Sequence, residues 1–505
     1  MSTIPEILRS NAASWPRRDA LVATRLGQDI AVTFSQLENQ ANLFADMLYS
    51  RGIQPGDPVL VFVPMSIELY VALLGIFRLG AGAVFLDPSA GLGHIDACCS
   101  RLPPRALVSV RPLRLLRPFV TGLRKIPHVF APPRDLHGSL GNLPPPPGPD
   151  DAALITFTSG STGQPKAAAR THRFLIAQHA ALRGSIKLEE GERDLTTLPV
   201  FVLANLASGI TSILPDARIS RPGSVNARRI ARQVARLRPA RTGGSPAFYQ
   251  RLLSEPACLA GFRKIYTGGA PVFPAFLKEL QSATPSADVV AVYGSTEAEP
   301  ICHVSCRDIS AEDWEAMRSG RGLLAGLPIP EIRLRIIPDQ WGNPAIDFAP
   351  QPSGCIGEII VAGDHVLKGY LHGRGDAETK VRLDGEIWHR TGDAGYLDGN
   401  GRLWLMGRCS ARISDALGTL YPFAVECLAM TFPGIRRAAF IQLGGERTLV
   451  IETRPGFRQF GDIEAACAQF RISRVCKVSM IPVDARHNAK IDYPGLERLV
   501  RKMGG

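Results

Sequence analysis

Between Leu154 and His172 the chain reads LITFTSGSTGQPKAAARTH, and this stretch restricts the possible fold more than any other. Its opening, Leu154-Ile155-Thr156-Phe157, has the apolar and β-branched content of a buried strand. From Thr158 to Gly163 every residue is Thr, Ser or Gly. Such a backbone turns tightly, exposes successive N–H groups and adds hydroxyl donors around an anion. Lys166 follows with a positive charge. Closely approaching backbone, neutral donors and a reachable cation are what a polyphosphate requires. A Ser/Gly linker is the alternative, but linkers are rarely held between an apolar strand and a run such as Ala167-Ala168-Ala169. The stretch is not a Walker loop, which needs Gly-Lys-Ser or Gly-Lys-Thr at its end.

Thr158-Ser159-Gly160-Ser161-Thr162-Gly163 with Pro165-Lys166 resembles the phosphate loop of the adenylate-forming superfamily, which holds acyl-CoA synthetases, luciferases and adenylation domains. The resemblance implies that this loop grips the β- and γ-phosphates of ATP. It implies a reaction that joins a carboxylic acid to ATP, giving an acyl-adenylate and pyrophosphate. The fold it implies is α/β: a large N-terminal domain of layered α/β subdomains plus a small distorted β-barrel, and a small mobile α+β C-terminal lid.

Composition bounds the alternatives. A chain of 505 residues with 45% hydrophobic content and mean hydropathy +0.04 builds large cores in more than one domain. The net charge of +12 suits anionic partners such as nucleotides or acyl carriers. Its arginines are scattered singly rather than gathered with aromatics, which argues against nucleic acid. Ten cysteines without a regular framework fit a reducing cytoplasm, and Cys302-His303 with Cys306 lacks the second half-site of a zinc centre. The N-terminus lacks a basic region followed by an apolar run, so no secretory signal is expected. The longest apolar stretch, Leu69 to Leu86, is broken by Arg78 and three glycines, so no transmembrane segment is expected either.

Taken in order, the chain alternates helix and strand. Ser35 is placed to cap a helix running to about Ser50, Val59 to Val63 reads as a buried strand, a helix starts at Ile67, and a second strand covers Ala83 to Leu86. This is the pattern of a parallel sheet covered on both faces. Pro144 to Pro147 forms a stiff connector, read as a crossing inside one large domain. The domain boundary is expected after Arg408, giving a large domain 1–408 and a lid 409–505.

Site candidates cluster at strand ends, where open α/β sheets bind ligands. Gly243-Gly244-Ser245-Pro246 and Tyr266 to Pro271 each follow a strand-like run; by resemblance Gly269, Ala270 and Pro271 line the adenine and acyl pocket, the alternative being an ordinary turn. Tyr293-Gly294-Ser295-Thr296-Glu297 resembles the family's Tyr-Gly-x-Thr-Glu motif. There Tyr293 would stack near adenine, Thr296 contact the α-phosphate and Glu297 orient Mg²⁺, which favours oxygen ligands. Asp393 is suited to accept both ribose hydroxyls, with a turn aspartate as the alternative, and Arg408 resembles the arginine that touches ribose or phosphate. Gly357 to Val361 and Lys368-Gly369-Tyr370 resemble the small barrel. Near the end, Asn488-Ala489-Lys490-Ile491 resembles the setting of the family's catalytic lysine, which stabilises charge building between carboxylate and α-phosphate; a solvated lysine is the alternative.

The chain departs from the common pattern in several places. Val202 stands where the family often has a histidine at the mouth of the acyl pocket, Ser410 replaces an acidic or lysine hinge, and Arg412 to Pro422 replaces a glycine-rich segment used for thiol substrates. With Arg486 to Ile491, these features resemble β-lactone synthetases of bacterial olefin biosynthesis, in which a substrate hydroxyl attacks the acyl-adenylate and expels AMP. Transfer to coenzyme A or to an acyl carrier protein is the second reading, and an inactive nucleotide-binding scaffold the third.

Overall fold

The computed structural model describes residues 2–86, 91–159, 165–343, 347–483 and 491–503, and the chain divides into two compact units. The first comprises Met1–Ser220, Val225–Gly243 and Asp364–Ala377. Its strands are β1 (Asp19–Arg25), β2 (Gln28–Thr33), β3 (Pro58–Phe62), β4 (Gly82–Phe85), β5 (Ala106–Ser109), β6 (His128–Phe130), β7 (Ala152–Ser159), β8 (Pro165–Thr171), β9 (Arg193–Thr196), β10 (Thr211–Leu214) and β11 (Arg241–Gly244). One sheet runs β6-β5-β3-β4-β7-β8, parallel up to β7, with β8 folding back antiparallel. A second runs β11-β9-β10-β1-β2, antiparallel only at β1–β2.

Both expected helices of this unit form, and they bury one another's apolar faces. Leu37, Phe44 and Leu48 on helix Phe34–Ser50 and Tyr70, Ile76 and Phe77 on helix Ile67–Leu79 have no accessible surface. Each such side chain contributes about 1.5–3 kcal/mol of burial. The cap of the first helix is Thr33, not Ser35: its side chain accepts from Gln36 N, and the Gln36 side chain accepts from Thr33 N. Starting two residues earlier lets Phe34 enter the core as the first helical residue. The Pro144 carbonyl accepts from Arg78 at 3.2 Å, so the proline connector is packed within this unit.

The second unit comprises Arg221–Ser224, Gly244–Gly363 and Glu378–Gly505. Its larger sheet contains β12 (Lys264–Gly268), β13 (Asp288–Ser295), β14 (Ala298–Ser305), β15 (Leu323–Pro328), β16 (Arg333–Ile337), β17 (Gly357–Ala362), β18 (Lys380–Leu383), β19 (Glu386–Leu397) and β20 (Leu403–Arg408). The order is β12-β13-β14-β15-β20-β19-β17-β16 with β18 on β19, and only β12–β13 is parallel. The antiparallel part contains Gly357–Val361 as expected. Lys368-Gly369-Tyr370, expected beside it, belongs instead to the first unit, where Tyr370 joins the main core.

After β20 come the hairpin β21 (Ile413–Asp415) and β22 (Gly418–Leu420), and a sheet of β23 (Ile435–Leu443), β24 (Glu446–Thr453) and β25 (Arg474–Val478). Helices Pro422–Ala429 and Phe460–Cys467 pack on one apolar cluster of this sheet and Tyr493–Met503 on another. Among the described residues no helix is long and apolar enough to cross a membrane.

Candidate active site

In the first unit the strands on either side of the expected phosphate stretch pair antiparallel. Thr158 pairs with Lys166 and Ser159 with Pro165 across β7 and β8. Gly160, Ser161, Thr162 and Gly163 lie outside the described residues, as do the side chains of Thr158 and Ser159. Lys166 is 6% exposed, with its ammonium nitrogen 5.8 Å from the centre of the Tyr370 ring. Gly375 closes over the same side chain, and a Cβ there would collide with the lysine methylenes. A lysine enclosed this way has a restricted range of positions, as a point-charge phosphate binder needs.

In the second unit several expected residues meet. Tyr293, near the end of β13, donates from its hydroxyl to Asp393 Oδ2 over 2.8 Å. Asp393 on β19 is the cross-strand partner of Arg408 on β20, and the two form an ion pair at 3.2 Å. Burial, and then the Asp393 carboxylate, push the Tyr293 phenol well above its ordinary range, while Asp393 raises the Arg408 guanidinium. Phenol and guanidinium thus remain protonated donors on one carboxylate. Ser295 pairs with Ala298, leaving Thr296 and Glu297 as the two residues of a tight β-hairpin turn. The Glu297 charge acts on both Arg408 and His389, which puts it in the same cluster. Gly294 precedes this turn on β13. Gly269, Ala270 and Pro271 follow β12, the parallel neighbour of β13, and Gly269 takes φ +77°, the left-handed region that favours glycine.

The donor set around Glu297 suits Mg²⁺ and no closed metal cage. Among the described residues no group of three or more His, Cys, Asp or Glu could hold a metal. Glu297 offers one carboxylate beside the Thr296 hydroxyl, and the buried Ser295 Oγ has no hydrogen-bond partner among the described residues. Magnesium takes most of its ligands from water and phosphate, so one carboxylate is enough.

Sequence reasoning missed the groups that hold this cluster. Thr391 Oγ1 accepts from Asp393 N at 3.1 Å and donates to Ile359 O at 2.8 Å, and the Thr391 carbonyl accepts from Arg408 at 3.0 Å. His389 is buried beside Lys380, and burial first, then that ammonium, lower its imidazole to about 3, keeping it neutral. Glu358 and Arg390 form a buried ion pair at 2.6 Å, with Trp341 stacked 5.2 Å from the guanidinium. The only signal in sequence was the run Trp388-His389-Arg390-Thr391 ahead of Gly392-Asp393. Val202 is fully buried in helix Pro199–Ala207. Lys490 lies outside the described residues, but its flanks are held: Val483 bridges Ile491, and Asp492 N donates to Pro482 O at 3.0 Å.

Residues 8–371 match the AMP-binding enzyme family. The chain belongs to that family. It is 32% identical to the olefin β-lactone synthetase of Xanthomonas campestris pv. campestris, over 93% of this chain and 90% of that protein. A protein of the same name from Stenotrophomonas maltophilia is 29% identical over 98% and 96%. The feruloyl-CoA synthase of an Amycolatopsis species is 30% identical over 85% and 84%. Among solved structures, ATP-bound MatB from Rhodopseudomonas palustris superposes with a TM-score of 0.83 over the whole of both chains at 21% identity. This AMP-binding enzyme therefore has the adenylate-forming fold, with a large N-terminal and a smaller C-terminal domain, and its family activates acids with ATP.

Proposed function

We propose that the chain activates a 3-hydroxy carboxylic acid with ATP and closes the product to a β-lactone. In the first step a carboxylate oxygen attacks the α-phosphorus, the bond to the β-phosphate breaks, and pyrophosphate leaves. In the second the substrate's 3-hydroxyl oxygen attacks the activated carbonyl carbon, AMP leaves and the hydroxyl proton passes to water. Tethering supplies the nucleophile at an effective molarity on the order of 10⁵ M or more, part of which offsets ring strain.

In this reading Thr158 to Gly163 and Lys166 take the β- and γ-phosphates, Asp393 and Arg408 the ribose, and Tyr293, Gly269, Ala270 and Pro271 the adenine side. Gly294 and Ser295 carry the turn that presents Thr296 to the α-phosphate. Glu297 would hold Mg²⁺, whose charge screens the phosphates. Lys490 stabilises the charge that builds on the reacting carboxylate and α-phosphate. The large domain ends at 408, the lid is 409–505, and the enzyme works in the cytoplasm.

The observation that carries lactone closure is the likeness to two olefin β-lactone synthetases across more than nine-tenths of the chain. Ser410 at the hinge and the Arg412–Pro422 segment support it, since neither supplies the usual thiol-binding glycines. The likeness to a feruloyl-CoA synthase favours the second reading, transfer to coenzyme A or an acyl carrier protein. A scaffold without activity has no use for Lys166, Glu297, Asp393, Arg408 and Lys490 together. The test compares a 3-hydroxy acid with its 3-deoxy analogue, given ATP and Mg²⁺ without thiol. The hydroxy acid should turn over repeatedly to AMP while the analogue stops at one equivalent of acyl-adenylate; equal behaviour of the two would reject lactone closure.

A further inference from the structure

The first unit carries a stretch of one-sided charge that none of the assigned roles uses. Residues 97–134 contain no Asp or Glu, and within them 111–125 hold Arg111, Arg114, Arg117, Arg124 and Lys125. This segment crosses from β5 to β6, the edge strand of its sheet. It folds as short turns, Arg111–Arg114, Arg117–Phe119 and Thr121–Arg124. Leu116 N donates to Leu113 O at 3.2 Å and Phe119 N to Leu116 O at 3.0 Å, a three-residue step that sets side chains three apart in line.

One such line points inward and its neighbour outward. Leu113 and Leu116 pack on the apolar cluster that contains Leu60, Leu107 and Leu123. Pro112, Leu115 and Pro118 are exposed, Leu115 to 72%, and Phe119 beside them to 76%. A single exposed leucine needs no explanation, but a leucine and a phenylalanine standing out together among five cations mark an interaction surface.

The cations have no anion of their own. Arg114 Nε donates to Ser109 O at 3.0 Å, and Arg117 donates to Leu123 O at 3.2 Å and to Ile126 O at 2.9 Å. These carbonyls hold the turns together and cancel no charge. The carboxylate that does reach the segment, Asp96 on helix Leu92–Arg101, accepts from Gly122 N at 2.6 Å. Among the described residues none of the five cations forms an ion pair.

We propose that 111–125 is a docking surface for an anionic lipid membrane, with Leu115 and Phe119 entering the headgroup boundary and the cations resting on lipid phosphates. Four of the five cations are arginine, whose planar fork matches phosphate oxygens. Their stems cover apolar surface while the charged heads stay among the headgroups. Lipid is favoured over an acidic protein because the apolar tips stand out of the surface, and a fluid bilayer receives them without a matching pocket.

The experiment sediments the full-length protein with vesicles of phosphatidylcholine alone and of equal parts phosphatidylcholine and phosphatidylglycerol. Wild type should bind the anionic vesicles and not the neutral ones, and about 0.5 M salt should release it. The triple variant Arg111→Glu/Arg124→Glu/Lys125→Glu changes only exposed side chains. It should bind at least about a hundredfold more weakly, since each cation at an anionic surface contributes about fivefold to partitioning. Leu115→Ser/Phe119→Ser keeps the charge and should weaken binding about tenfold. Both variants should unfold thermally with wild type. Equal binding to neutral and anionic vesicles, or undiminished binding by either variant, overturns the proposal. Failure of wild type to bind vesicles overturns it too, and uptake by polyglutamate that the triple variant loses would then assign the surface to an acidic protein.

Discussion

The Tyr293 hydroxyl and the Asp393 carboxylate are 2.8 Å apart although a hundred residues separate them in the chain. The contact exists because β13 and β19 lie in one sheet, joined through β14, β15 and β20. It leaves Asp393 with one oxygen on the phenol and the other 3.2 Å from Arg408, a carboxylate oriented from both sides before any nucleoside arrives. Losing a charge-assisted hydrogen bond costs about 1.5–3 kcal/mol. Asp393→Ala should therefore weaken ATP binding roughly ten- to a hundredfold in a calorimetric titration. Unchanged affinity would remove Asp393 from the nucleotide site.

Lys166 is enclosed by Tyr370 and Gly375, and its proposed partners are the two phosphates that AMP lacks. Lys166→Ala should raise the KM for ATP at least about tenfold, the effect of losing one charged contact, and leave AMP binding unchanged. Equal losses for both nucleotides would mean that the lysine supports the fold rather than the phosphates.

The Glu358–Arg390 pair is a structural risk beside the site. Glu358 has no accessible surface, so Arg390→Met leaves an unpaired buried carboxylate, which costs about 3–5 kcal/mol. Thermal unfolding should start several degrees lower. Replacing both, Arg390→Met with Glu358→Gln, should recover much of the loss, because no charge is then stranded. A double variant as unstable as the single one would mean that the pair matters for its shape and not its charge.

Stability should carry the signature of Glu426. Its carboxyl titrates near 4.5 when unfolded and about 7 when folded, so between these values the folded chain holds the extra proton. Stability from this group is therefore present below pH 4.5 and lost as pH rises toward 7, by up to about 3 kcal/mol. His389 acts in the opposite sense, being neutral when folded, and costs stability as pH falls below 6.5 toward 3. Denaturant titrations from pH 5 to 8 should show Glu426→Gln gaining on wild type as pH rises. Parallel curves would place the wild-type carboxyl at an ordinary value.

The elements that were legible in the sequence are those whose cause is local. The strand Leu154–Phe157, the helix after Ile67 and the Tyr293–Glu297 turn each announce themselves by residue type and spacing. Thr33 rather than Ser35 caps helix Phe34–Ser50 because the deciding factor is where Phe34 packs, which is a tertiary matter. The pairing of Asp393 with Arg408 depends on strand register across β19 and β20, and no local pattern encodes it. Glu426 left a faint mark, a single carboxylate in the otherwise apolar Pro422-Phe-Ala-Val-Glu-Cys-Leu-Ala429, which resembles an ordinary helix until its burial is known.

Carboxylate activation followed by closure is tested most directly with a 3-hydroxy acid labelled with ¹⁸O in both carboxylate oxygens, incubated with ATP and Mg²⁺ and no thiol. Attack of the carboxylate on the α-phosphorus followed by attack of the hydroxyl on the carbonyl should give AMP with one ¹⁸O, a β-lactone with one ¹⁸O, and equal amounts of the two. Unlabelled AMP, or labelled acyl-adenylate that persists until coenzyme A is added, would contradict the account.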